Sequence, residues 1–164
     1  MEKINVKDLS ESPVKLFDNE WSLITAGDEN GYNTMTASWG GMGELWNRDV
    51  CFIFIRPQRY TFEFIEKNDY FTVSFLGEEN KKALAFCGKY SGRDYDKAKE
   101  TGLTPKFIDG TTTFEQARLV FVCKKIAYQD MDPKGFIDAS IAKNYSEGDY
   151  HRVYVGEIVA CYKN

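Results

Sequence analysis

Short apolar runs separated by turn residues dominate the chain. Trp21–Ala26 (WSLITA) passes through Gly27–Gly31 (GDENG) into Asn33–Trp39. The Asn30-Gly31 pair favours positive φ at a tight turn, which predicts a β-hairpin. Val50–Ile55 (VCFIFI) is β-branched and aromatic, as expected of a strand covered on both faces. Tyr70–Leu76 (YFTVSFL), Leu119–Tyr128 (LVFVCKKIAY) and Tyr150–Tyr162 (YHRVYVGEIVACY) are further strand candidates. Within the last, Gly156 predicts a bulge or a close backbone approach.

Helical patterns are fewer. Thr61–Asn68 (TFEFIEKN) opens on an N-cap threonine and places Glu63 in the first turn. Glu79–Cys87 has a helical period and meets Gly88 as its C′ residue. Asp94–Thr101 (DYDKAKET) reads as a polar helix stopped by Gly102, and Ile137–Asn144 fits no single pattern. Five or more strands with helices between them argue against a parallel βαβ sheet. The expected architecture is mostly β: an antiparallel β-barrel with peripheral helices, in one domain over residues 1–164.

Composition narrows the function classes. The net charge is −4, and the 21 basic residues form no stripe or arm, which argues against a nucleic-acid partner. No segment approaches the roughly 18 apolar residues of a membrane span, and Met1–Phe17 lacks a signal-like apolar stretch. A cytoplasmic protein without a membrane partner is expected. Cys51, Cys87, Cys123 and Cys161 are far apart, and three lie in apolar strand-like runs, so buried reduced thiols are expected. One histidine and no paired ligand spacing leave no metal site to propose.

Four segments carry candidate chemistry. Arg56–Thr61 (RPQRYT) joins a buried strand to a helix N-terminus. Two cations, a hydroxyl and free N–H groups there suit a phosphate dianion; on the residues alone, a capped helix with two solvated arginines is the plainer alternative. In Asn33–Gly41 (NTMTASWGG), Thr34, Thr36 and Ser38 share one strand face and Met35, Ala37 and Trp39 the other. Small hydroxylated residues would let a flat ring approach the backbone; the alternative is an ordinary hairpin strand with Trp39 in the core. Phe86–Asp94 (FCGKYSGRD) is a flexible, anion-friendly loop, in which Lys89 or a helix end could activate Cys87. His151 is the only histidine, a candidate acid, base or donor, or a structural residue.

These segments, in this order, resemble the flavin reductase-like (flavoredoxin) family. The resemblance runs from about Trp21 to Tyr162, and its most telling pieces are NTMTASWGG, RPQRYT, Phe86–Lys97 and Gly148–Ile158. It implies an antiparallel, Greek-key-like, FMN-binding split β-barrel that forms a homodimer with non-covalent FMN near the interface. By that resemblance, Asn33, Thr34, Met35, Thr36, Ala37, Ser38 and Trp39 line the flavin ring and ribityl chain. Arg56, Arg59, Tyr60 and Thr61 hold the phosphate; Cys87, Gly88, Lys89, Ser91 and Lys97 approach from the helical insertion. His151 lies near the exposed flavin face in a catalytic role. The implied activity is that of an oxidoreductase, passing electrons from NADH or NADPH, as a transient substrate, or from a redox protein, through FMN to an acceptor. The alternatives are an electron-transfer or flavin-carrier protein serving a monooxygenase partner, and a pyridoxamine-phosphate-oxidase-like split barrel.

Overall fold

Strand pairing follows the apolar runs. The computed structural model describes all 164 residues. Its main strands are β1 (Glu2–Ile4), β2 (Ser22–Asp28), β3 (Gly31–Ala37), β4 (Gly40–Leu45), β5 (Arg48–Ile55), β6 (Tyr70–Phe75), β9 (Leu119–Asp130) and β10 (Arg152–Lys163). They form one antiparallel sheet in the order β3-β2-β6-β9-β10-β5-β4, with β1 added to β10. A separate hairpin pairs β7 (Pro105–Ile108) with β8 (Thr111–Phe114). The helices are α1 (Pro13–Lys15, followed by a π turn over Leu16–Glu20), α2 (Tyr60–Lys67), α3 (Lys81–Lys89) and α4 (Lys97–Thr101).

Alternation along the strands divides the core in two. Phe71, Val73 and Phe75 of β6 and Leu119, Phe121 and Cys123 of β9 point into the barrel with Ile53, Ile55 and Tyr154. The intervening Val120 and Val122 pack outward with Leu23, Leu84, Cys87 and Ala98, beneath α3 and α4. Each fully buried aliphatic or aromatic side chain contributes about 1.5–3 kcal/mol. The polar positions on this second face are satisfied by β8: Thr72 donates to the Thr112 carbonyl at 2.6 Å, and Ser74 meets Thr113 at 2.9 Å.

The expected antiparallel barrel with peripheral helices is present, and all four cysteines are buried free thiols. Gly156 answers both expectations. The β9–β10 register shifts between Val155 and Gly156, and a Cβ there would lie 2.5 Å from the Phe71 ring.

Several local expectations are corrected. The β2–β3 hairpin forms, but its positive φ falls on Gly27 rather than on Asn30-Gly31, because the Asp28 carboxylate accepts from the Asn30 N–H at 2.9 Å and supports an ordinary turn. Thr61 is not the N-cap of α2. Arg59 occupies that position, and the Thr61 hydroxyl accepts from Asn33 Nδ2 at 2.7 Å. Gly88 lies inside α3, which continues to Lys89. The expected helix from Asp94 begins only at Lys97, capped by Asp96, and is not wholly polar, since Lys97 and Ala98 are buried; Gly102 does stop it in the left-handed region. Trp39 is 47% exposed, not core. Strand β4 and the β7–β8 hairpin were not read from the sequence. The turns Trp46-Asn47 and Asp109-Gly110, with positive φ throughout, close the two hairpins involved.

Candidate functional site

The end of β3, the β5–α2 junction and the C-terminal turn of α3 converge on two neighbouring recesses. The first, of about 230 Å³, is lined by Met35, Thr36, Ala37, Ser38, Trp39, Phe54, Arg56, Arg59, Gly88 and His151. The second, also about 230 Å³, is lined by Gln58, Arg59, Tyr60, Thr61, Lys89, Tyr90, Ser91, Arg93 and Lys97. Arg59 borders both and donates to the Gly88 carbonyl at 2.9 Å.

The walls are held by close packing. Gly88 faces Thr36, where an added Cβ would approach the threonine Cβ to 3.3 Å, and the Thr36 hydroxyl donates to the Leu84 carbonyl at 2.5 Å. Gly92 abuts Asn33: a Cβ there would sit 1.9 Å from its amide oxygen. Gly88 therefore lets the last turn of α3, and Gly92 the α3–α4 connection, lie directly on β3. The shared hydroxyl face has a different use from the one expected. Thr34 bonds Thr25 within the sheet at 2.8 Å and Thr36 bonds α3, so of the three hydroxyls Ser38 alone makes no bond within the chain.

The electrostatics separate the two arginines. Arg56 pairs with Asp149, donates to the Asn144 carbonyl at 2.8 Å and covers the Tyr145 ring at 5.0 Å. Its charge is compensated, and it ties the Met131–His151 connection onto the barrel. Arg59 has no carboxylate partner; burial, then the neighbouring Arg56 charge, lower its pKa. Lys97 is buried, and its ammonium donates only to the carbonyls of Thr34 at 2.7 Å and Cys87 at 2.8 Å. Burial lowers its pKa to about 8. Arg93 is neutralised by Glu63 and stacks on Tyr60 at 4.6 Å.

The sequence-derived residues are thus largely assembled, with distinct roles. Met35 through Trp39, Arg56, Gly88 and His151 border the first recess; Tyr60, Thr61, Lys89, Ser91 and Lys97 border the second. Asn33 and Thr34 instead line a third recess, which Lys97 also borders. Cys87 is fully buried and lines none of these recesses; burial raises its thiol to about 11 against the opposing Lys97 charge, which keeps it protonated near neutral pH, and its carbonyl accepts from Lys97. Phe54, Gln58, Tyr90 and Arg93 also line the recesses; Gln58 lies within RPQRYT, Tyr90 and Arg93 lie within FCGKYSGRD, and Phe54 follows from the alternation of β5.

Fold and cleft together define an antiparallel split barrel with a two-part, cation-bearing site at the open end of β3. The family model described as flavin reductase like domain matches residues 15–164, and the chain belongs to that family. No curated protein matches the sequence. Among solved structures, the FMN-binding protein from Thermus thermophilus with bound 1-cyclohex-2-enone is 19% identical, with 99% of this chain and 80% of that chain covered at a TM-score of 0.69. Flavoredoxin from Methanosarcina acetivorans is 20% identical over 100% of this chain and 76% of that one, with a TM-score of 0.69. The styrene monooxygenase flavin reductase from Pseudomonas putida S12 is 19% identical over 88% and 79%, with a TM-score of 0.65. At these identities the likeness establishes the fold.

Proposed function

We propose that the chain binds FMN non-covalently and works as an FMN-dependent oxidoreductase of the flavin reductase type. One observation carries the reading: Arg59 and Lys97 are desolvated cations with only carbonyl partners, facing a hydroxyl-bearing recess that adjoins a partly apolar one. Uncompensated buried charge is costly, and a phosphate dianion in the second recess would relieve it. The donor set fits that group: Arg59, Lys97, the Ser91 hydroxyl and, nearer the surface, Lys89. The first recess would take the ring system, with the backbone of Ala37–Trp39 along it and the Trp39 indole exposed beside it. Bound FMN would supply the capacity to accept a hydride and pass electrons on. The chain's residues orient it, exclude water and place cations beside its anionic groups.

Arg59→Ala should weaken FMN by roughly 1.5–3 kcal/mol, the range for hydrogen bonds to charged groups, and leave riboflavin affinity nearly unchanged. Equal losses for both ligands would refute the phosphate assignment. A visible spectrum of the purified protein tests the cofactor, and bleaching under NADH or NADPH without oxygen separates a reductase from a flavin carrier. The family resemblance also supports a homodimer, which sedimentation of the purified protein tests directly.

A further inference from the structure

His151 is 7% exposed, and its Nδ1 lies 2.7 Å from the Tyr145 hydroxyl. That hydroxyl has one proton and two neighbours, the imidazole nitrogen and the Met131 sulfur at 3.4 Å. The ring nitrogen is the stronger and nearer acceptor, which favours a proton directed to Nδ1 over one directed to the sulfur. A neutral imidazole that accepts at Nδ1 carries its own proton on Nε2. Thr111 Oγ1 is the only sealed side-chain polar atom without a partner. Nε2 has no bond within the chain and is not sealed, and His151 lines the first recess.

The surroundings hold this arrangement. Tyr145 stacks on Phe136 at 5.8 Å and lies 5.0 Å from the Tyr150 ring, while Arg56 covers it. Trp39 packs on the imidazole at 5.3 Å. Burial, then the Arg56 charge, lower the histidine to about 4, with Asp149 alone opposing; the ring is neutral at pH 7. Asp149 is held by Arg56 and Gln58 and compensates the nearest cation. A neutral acceptor therefore suits the open N–H better than a carboxylate does.

We propose that Tyr145 is a positioning residue that locks His151 as an Nε2–H donor into the first recess, where it meets a carbonyl or carboxamide oxygen of the molecule that exchanges electrons there. The ligand half rests on the flavin reading; the tautomer half stands on the chain alone.

The single histidine allows a direct test. A long-range ¹H–¹⁵N spectrum of histidine-labelled, flavin-free protein at pH 7 should have one pattern, with Nε2 protonated and Nδ1 bare. A proton on Nδ1, or an imidazolium, overturns the proposal. Tyr145→Phe should give a mixture of tautomers with amide dispersion retained, and Met131→Leu should leave the single tautomer intact. An unchanged tautomer in Y145F, or a changed one in M131L, overturns the positioning role. With FMN added, nicotinamide as a neutral carboxamide probe should bind at least fivefold more weakly to Y145F, while FMN affinity stays the same. Equal nicotinamide affinities overturn the acceptor half. Absence of any flavin spectral change in the wild-type protein refutes the cofactor reading and the ligand half with it, and leaves the tautomer result standing.

Discussion

Lys97→Met isolates the buried charge on which the proposed phosphate contact rests. The unfolded chain carries a lysine that titrates near 10.5, whereas burial brings the folded one to about 8. Between those values the unfolded state binds more protons, so the contribution of Lys97 to stability rises with pH. The gap corresponds to roughly 3 kcal/mol at 1.36 kcal/mol per pH unit. Cys87, Cys161 and several tyrosines are shifted upward and act in the opposite sense over the same range. The quantity to measure is therefore the difference in urea unfolding free energy between wild type and K97M, from pH 7.5 to 10.5. It should move by roughly 2–3 kcal/mol in favour of wild type. Near pH 7 the variant also leaves the Thr34 and Cys87 carbonyls without their ammonium donor, which offsets part of the relief from removing a buried charge. A phosphate in the second recess reverses the dependence by holding Lys97 charged. FMN affinity should then fall up to tenfold per pH unit above about 8, while riboflavin affinity stays flat. A stability difference independent of pH would refute the buried, uncompensated ammonium; parallel pH profiles for FMN and riboflavin would refute the phosphate contact.

Three further outcomes are expected. Gly156→Ala places a Cβ 2.5 Å from the Phe71 ring and 2.8 Å from Cys123 Cβ, and should cost about 1–3 kcal/mol by urea denaturation. Arg56→Ala removes the tie to Asp149 and Asn144; hydrogen exchange should accelerate across residues 136–149 while β6 and β9 stay protected. All four cysteines should resist alkylation in the native protein near neutral pH and react fully in denaturant, since each is buried; rapid native labelling of Cys87 would contradict its packing.

Much of the fold was legible locally because its strands are covered on alternating faces. YFTVSFL and LVFVC write that alternation directly, with odd positions filling the barrel, Thr72 and Ser74 meeting β8, and Val120 and Val122 joining the cluster beneath α3 and α4. The phosphate argument was also local, since RPQRYT places its cations at a helix N-terminus whatever the rest of the chain does. Strand β4 and the β7–β8 hairpin were missed for complementary reasons. GGMGEL carries little apolar signal and becomes a strand by pairing with β5, and in β8 the Thr112 carbonyl and the Thr113 hydroxyl are buried against the Thr72 and Ser74 hydroxyls of β6.

The charges divide along the same line. The chain alone determined that Arg56, Arg59, Lys89, Arg93 and Lys97 are cations close to glycines and hydroxyls. Tertiary packing decided which of them remain uncompensated. Asp149 and Glu63, both distant in sequence, neutralise Arg56 and Arg93. Packing of α3 and α4 on β3 buries Lys97 with only carbonyls for company. Residue type sets a charge, but burial and the partner that reaches it set its cost, and both depend on segments that meet only when the barrel closes.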